Sequence, residues 1–152
     1  MKYFAWGIFL CCLFACQPIH RDKMISERLI KRLKDLHLLD EDETIFQFYS
    51  NYRRRIAGNF VSNKRVATYY LDDRSQLRDE IAFAYYENIR TMDTLYHSVQ
   101  VSSPHLLVTT FDRKLIKVYV DGDRATVQSF FEKALEQWAL HRKQGVNPNI
   151  KM

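Results

Sequence analysis

Gly58-Asn59-Phe60-Val61-Ser62-Asn63-Lys64-Arg65-Val66-Ala67-Thr68-Tyr69-Tyr70-Leu71 is the stretch whose period decides the fold. Two runs of β-branched and aromatic residues flank four polar ones, so strands over 59–61 and 66–71 join through the turn 62–65. Val66, Thr68 and Tyr70 then share one face, while Ala67, Tyr69 and Leu71 share the other. Upstream, 44–50 reads as a strand. Downstream, 72–79 is a charged loop and 80–86 alternates again, with Ile81, Phe83 and Tyr85 on one side. Residues 88–96 form a further strand or a bent extension of that one. Pro104 ends it, and 105–111 and 115–120 make a second hairpin around Asp112-Arg113-Lys114.

Helical periods frame this block. Asp123 is suited to cap a helix over 123–142, along which Val127, Phe130, Phe131, Leu135 and Trp138 form one stripe. At the other end Ile25, Leu29, Leu33 and Leu36 predict a helix within 24–38, with Arg28, Lys31, Arg32 and Lys34 on its other face. The expectation is a mainly β (α+β) single domain over 24–142. It is a small antiparallel barrel or sandwich of about six or seven strands between 43 and 120, capped by the C-terminal helix. A short N-terminal helix precedes it, and 143–152 is a loose tail.

The stretches Thr44-Ile45-Phe46-Gln47-Phe48-Tyr49-Ser50-Asn51 and Gly58 to Val66, with Tyr69-Tyr70, carry a family likeness. Together with Ile116-Lys117-Val118-Tyr119 and Asp121-Gly122-Asp123 before a Phe-rich helix, they resemble bacterial pleckstrin-homology-like domains over roughly 43–142. The resemblance implies a non-catalytic binding or scaffolding module, and the leading helix is an addition to the family pattern. Eukaryotic relatives hold phosphoinositides between basic loops, but no such loop carries over to these residues.

Lys2 is followed by an uncharged apolar run to Ala15. About thirteen apolar residues are too few for the roughly 20 that a membrane-spanning helix needs. Leu13-Phe14-Ala15-Cys16 resembles the lipobox of bacterial lipoproteins. That resemblance makes 1–15 a signal peptide, Cys16 the residue carrying diacylglycerol and an N-acyl chain, and 16–23 a tether. An exported protein anchored in the cell membrane or outer membrane follows, its periplasmic face expected, with Gln17 after the cysteine leaning toward the outer membrane. The other cysteines are Cys11 and Cys12, so the domain has neither disulfide nor cysteine zinc site. No other cofactor is expected.

The net charge of +5 becomes +4 once Lys2 leaves with the signal. Arg53, Arg54, Arg55, Lys64 and Arg65 are the candidate contacts for anionic lipid or an acidic envelope protein. Tyrosines interleave the arginines as in nucleic-acid binders, yet export makes nucleic acid an unsuitable partner. The sequence holds no G-x-S-x-G elbow, P-loop or His-Glu-x-x-His, and the expectation is that the protein is not an enzyme. Two alternatives stay open: an envelope hydrolase built on His97, His105 and Asp93, and a lipocalin-like carrier with an open barrel.

Overall fold

A computed structural model describes residues 25–72, 74–100 and 102–145. Among them seven strands form two antiparallel sheets. The first has the order β1 (Ile45–Tyr49), β2 (Ala57–Ser62), β3 (Arg65–Tyr70) and β4 (Glu80–Tyr85). Val61 pairs with Val66 at the tip of the β2–β3 hairpin. The Ser62 hydroxyl accepts the backbone N–H of Lys64 and of Arg65 at 3.1 and 3.0 Å, which closes the turn.

A single 3-10 turn, Tyr86–Asn88, carries the chain out of the first sheet. Residues 88–96 therefore do not extend β4. They supply β5 (Ile89–Leu95), which pairs with β6 (His105–Thr110), itself paired with β7 (Leu115–Tyr119). Tyr86 fixes this corner, being fully buried with its hydroxyl donating to the Ser62 carbonyl at 3.1 Å.

The middle strands of the first sheet, β2 and β3, bury side chains on both faces. Val61, Val66 and Ala84 face the second sheet, meeting Leu106, Val108, Ile116 and Val118. The helix α2 (Arg124–Gly145) adds Phe130 and Phe131, which fill the space where an open-barrel carrier would keep its ligand. Asp123 caps α2 as expected, its carboxylate accepting the Thr126 N–H at 2.7 Å. Trp138 is half-buried, and its Nε1 donates to the Ile89 carbonyl at 3.3 Å. The helix continues to Gly145, so residues 143–145 of the expected loose tail are helical. The rest of that tail, the signal, Cys16 and most of the tether lie outside the described residues.

Phe60, Ala67, Tyr69 and Leu71 point the opposite way, toward α1 (Glu27–Asp35). Leu29 and Leu33 of α1, followed by Leu38 and Leu39, cover them. Each such leucine contributes about 1.5–3 kcal/mol by leaving water, which makes α1 part of the core. It is shorter than 24–38 because His37 takes a left-handed turn, with φ 57°. The Leu38 N–H then bonds back to the Leu33 carbonyl at 2.9 Å and His37 N–H to Lys34 at 2.8 Å, closing the helix end. None of the described helices is long and apolar enough to cross a membrane.

Candidate functional site

Of the expected basic contacts, Arg65 is the one that is buried. It shares the parity of Ala67 and Tyr69, so its side chain enters the α1 side of the sheet and is fully buried. There Nε and Nη2 donate to the two Glu43 carboxylate oxygens at 3.0 and 2.7 Å, and Nη2 also reaches Asp40 at 2.6 Å. The Ser62 hydroxyl donates to the same Glu43 carboxylate. Arg65 Cζ lies 4.4 Å from the Tyr85 ring centre and 4.9 Å from that of Phe83. Its Nη1 has no hydrogen-bond acceptor, leaving it to those rings. Burial opposes the charge on Arg65, but the Glu43 and Asp40 bonds outweigh it and hold its pKa up. Arg65 is thus a bolt between the sheet and the 38–43 segment, out of reach of a surface partner.

Lys64 is also committed. Its Nζ donates to Asp42 at 2.6 Å and to Asp40 at 3.1 Å, and these bonds raise its pKa. Lys34 on α1 pairs with Glu41 at 2.7 Å. These cations fasten the segment after α1 to the body of the protein.

Basic residues from two other segments converge. Arg28, Lys31, Arg32 and Asp35 follow one another on α1 at the i, i+3, i+4, i+7 spacing of a single helix face. Across from them stand Arg54 and Arg55, from the turn between β1 and β2. With Ser26 and Leu29 these six line a groove of about 470 Å³. Arg53 is exposed, does not line it, and starts the turn by accepting the Ile56 and Ala57 N–H groups.

The turn is held firmly. The Tyr69 hydroxyl donates to the Arg54 carbonyl, and the Arg54 guanidinium lies 5.7 Å from the centre of the Phe48 ring. Burial pushes the Tyr69 hydroxyl well above its ordinary pKa, against the opposing pull of the Arg32 and Arg54 charges. Two elements thus deliver positive charge to one place. Gly58 makes this packing possible: a Cβ there would lie 2.6 Å from the Phe48 ring and 2.8 Å from the Tyr69 hydroxyl. Sequence reading singled out Arg53–Arg55 and the α1 cations separately. Their meeting depends on how α1 sits across the sheet, which no local pattern encodes.

The three residues of the hydrolase alternative do not gather. His97 Nδ1 bonds to the Ser102 carbonyl at 2.9 Å and His105 Nδ1 to the Ser103 carbonyl at 2.8 Å. Asp93 is exposed on β5, opposite Leu107. His97 lines a depression with Tyr96, Arg124 and Gln128 to which neither His105 nor Asp93 contributes. Among the described residues no three His, Cys, Asp or Glu side chains gather as metal ligands.

A protein with a pleckstrin-homology domain, of the DUF1696 family from Shewanella loihica PV-4, is similar in structure to this chain. The TM-score is 0.45 at 13% sequence identity, over 73% of this chain and 99% of that one. No family model matches the chain, and no curated protein matches it.

Proposed function

We propose that the protein is a lipid-anchored, non-catalytic binding module of the bacterial cell envelope, acylated at Cys16 and turned with its basic groove toward an anionic membrane surface. The observation that carries this reading is the convergence of Arg28, Lys31 and Arg32 with Arg54 and Arg55 in one groove beside the helix that follows the tether. Ile25 comes nine positions after Cys16 along the sequence, a reach of about 30 Å when extended. An anchored body stays within that distance of the headgroups, where each surface cation gains about 1 kcal/mol from an anionic leaflet. Two or three acyl chains make such anchoring lasting, whereas one does not.

Two measurements test the reading. Palmitate labelling of the full chain in its bacterial host is expected to disappear in Cys16→Ser, and persistent labelling of that variant would overturn the anchor. The acylated chain is then reconstituted into neutral vesicles and into vesicles containing phosphatidylglycerol, and amide hydrogen exchange is compared. Residues 27–36 and 53–56 are expected to exchange more slowly on the anionic vesicles, the difference vanishing in high salt. Equal exchange on the two surfaces would refute the membrane-facing groove.

A further inference from the structure

We infer that β4 is a dimerisation edge, along which a second copy of this chain adds its own β4 antiparallel about a two-fold axis at Phe83. The pairing goes beyond the membrane-facing reading and does not require it.

The backbone supplies the first argument. The Leu71 N–H bonds to the Ile56 carbonyl at 2.7 Å and the Tyr86 N–H to the Lys64 carbonyl at 3.1 Å. Backbone groups of successive residues point to opposite sides of an antiparallel strand. With Arg65 opposite Tyr85 and Tyr70 opposite Glu80, the groups of Glu80, Ala82 and Ala84 therefore point to β3. Those of Ile81, Phe83 and Tyr85 point outward, where the sheet has no further strand among the described residues. The opposite edge of the sheet is covered: on β1, Gln47 donates to the Ser129 hydroxyl at 2.9 Å and Tyr49 to the Asp121 carbonyl. Open edges are commonly blunted by bulges, prolines or charged side chains. Residues 81–85 carry no charge and no proline, and their register with β3 has no bulge.

The side chains fit a second copy better than an unrelated strand. In Ile81-Ala82-Phe83-Ala84-Tyr85 small residues flank Phe83 and large ones stand beyond them. A two-fold axis at Phe83 sets Phe83 against itself and Ile81 against the partner's Tyr85 on the α1 side, with Ala82 against the partner's Ala84 on the other. Outward backbone groups then meet outward ones at all three positions. Phe83 and Tyr85 are already fixed edge to face, 5.6 Å apart, against the Arg65 guanidinium, so little order is lost on association. Apolar residues also stand in water at both ends of the edge: Leu77 is 98% exposed and Phe111 68%. Phe111 lines a depression of about 410 Å³ with Phe83 and Tyr85, and the antiparallel order brings Leu77 beside that depression in the partner. The axis runs perpendicular to the sheet, so both α1 helices lie on one side of the joined sheet. Two acylated copies can thus pair on one membrane.

Light scattering of the full chain in neutral detergent, with the detergent's mass subtracted, is expected to give twice the mass of one chain. Ile81→Lys, at an exposed position that tolerates charge in the single chain, is expected to weaken association roughly tenfold or more, since symmetry removes two cross-strand pairs at once. Thr91→Lys places the same charge on an exposed position of β5 and should leave association unchanged. Register is read by cross-linking, judged against the parent chain. Phe83→Cys is expected to link to itself through a short bis-maleimide. Ile81→Cys is not, because four residues of strand separate the two copies of that position by about 14 Å along the strand. None of these readouts depends on acylation of Cys16, so the membrane-facing reading can fail while the edge stands. A single chain at every concentration, or a dimer that Ile81→Lys leaves intact, would overturn the edge. A closed ring of more than two copies would overturn the two-fold axis, as would equal cross-linking at the two cysteines.

Discussion

Arg65 sets two strong effects against each other. Removing a guanidinium and a carboxylate from water costs several kcal/mol each, and only close pairing makes up for it. Here the pairing is close: two bonds to Glu43 at 3.0 and 2.7 Å, one to Asp40 at 2.6 Å, and two aromatic faces. Breaking one side should therefore do far more damage than replacing both. Arg65→Met is expected to lower stability by about 3–5 kcal/mol, since it leaves the Glu43 charge buried with a hydroxyl and an amide N–H for company. Glu43→Gln/Arg65→Met should lose less than the single change, because no buried charge remains. Urea denaturation of the two variants decides this, and a single-variant loss below about 1 kcal/mol would show that water reaches the pair. The burial of Arg65 had a signal in the sequence, namely the alternation that puts it with Ala67, Tyr69 and Leu71. A cation at the end of a polar turn reads as surface only when parity is ignored. The second clue was Asp40-x-Asp42-Glu43, an acidic run with no helical or strand period of its own.

Helices and strands were legible because each has a period that a few residues establish. All seven strands fall within the predicted runs to within a residue or two, and α2 starts on the expected Asp123 cap. The ends of α1 and α2 were less legible. Where a helix stops depends on which backbone carbonyls find partners after it, and His37 gives no warning that it adopts φ 57°. A side chain in that conformation is strained by roughly 1–2 kcal/mol relative to glycine. His37→Gly relieves the strain but adds freedom to the unfolded chain, which cancels part of the gain. A net stabilisation of about 0.5–1 kcal/mol remains, corresponding to a rise in melting temperature of roughly 2–5 °C. Calorimetry of that one variant checks the turn, and an equal or lower melting temperature would show that His37 contributes a contact beyond its backbone. The same change leaves Leu38 beneath Leu33, so the groove cations of α1 should keep their positions.

At the scale of the molecule, the first sheet is a wall between two cores, with α2 and the second sheet on one side and α1 on the other. Local patterns supplied the parts of this wall but not the juxtaposition of α1 with the 53–56 turn, because those segments meet through packing on Phe48, Phe60 and Tyr69, far apart in sequence. What ties the halves together at the surface is largely carboxylate chemistry. Asp40 is held below its ordinary pKa by Lys64 and then Arg65, and Asp42 by Lys64. Asp112 is lowered by the Thr110 hydroxyl, and Asp123 by the Thr126 N–H at the head of α2. All four therefore bind protons more readily in the unfolded chain, whose aspartates titrate near 4. The sign follows directly. Stability from these groups is complete above that range and is lost as pH falls through the lowered folded values. The urea midpoint is expected to stay level from about pH 8 to 5 and to fall progressively below about pH 4. Asp40→Asn should start lower at neutral pH and decline less steeply in acid, having no proton left to take up at that position. A midpoint unchanged at pH 3 would mean that these carboxylates are as easily protonated folded as unfolded, and that the apolar cores alone join α1 to the sheet.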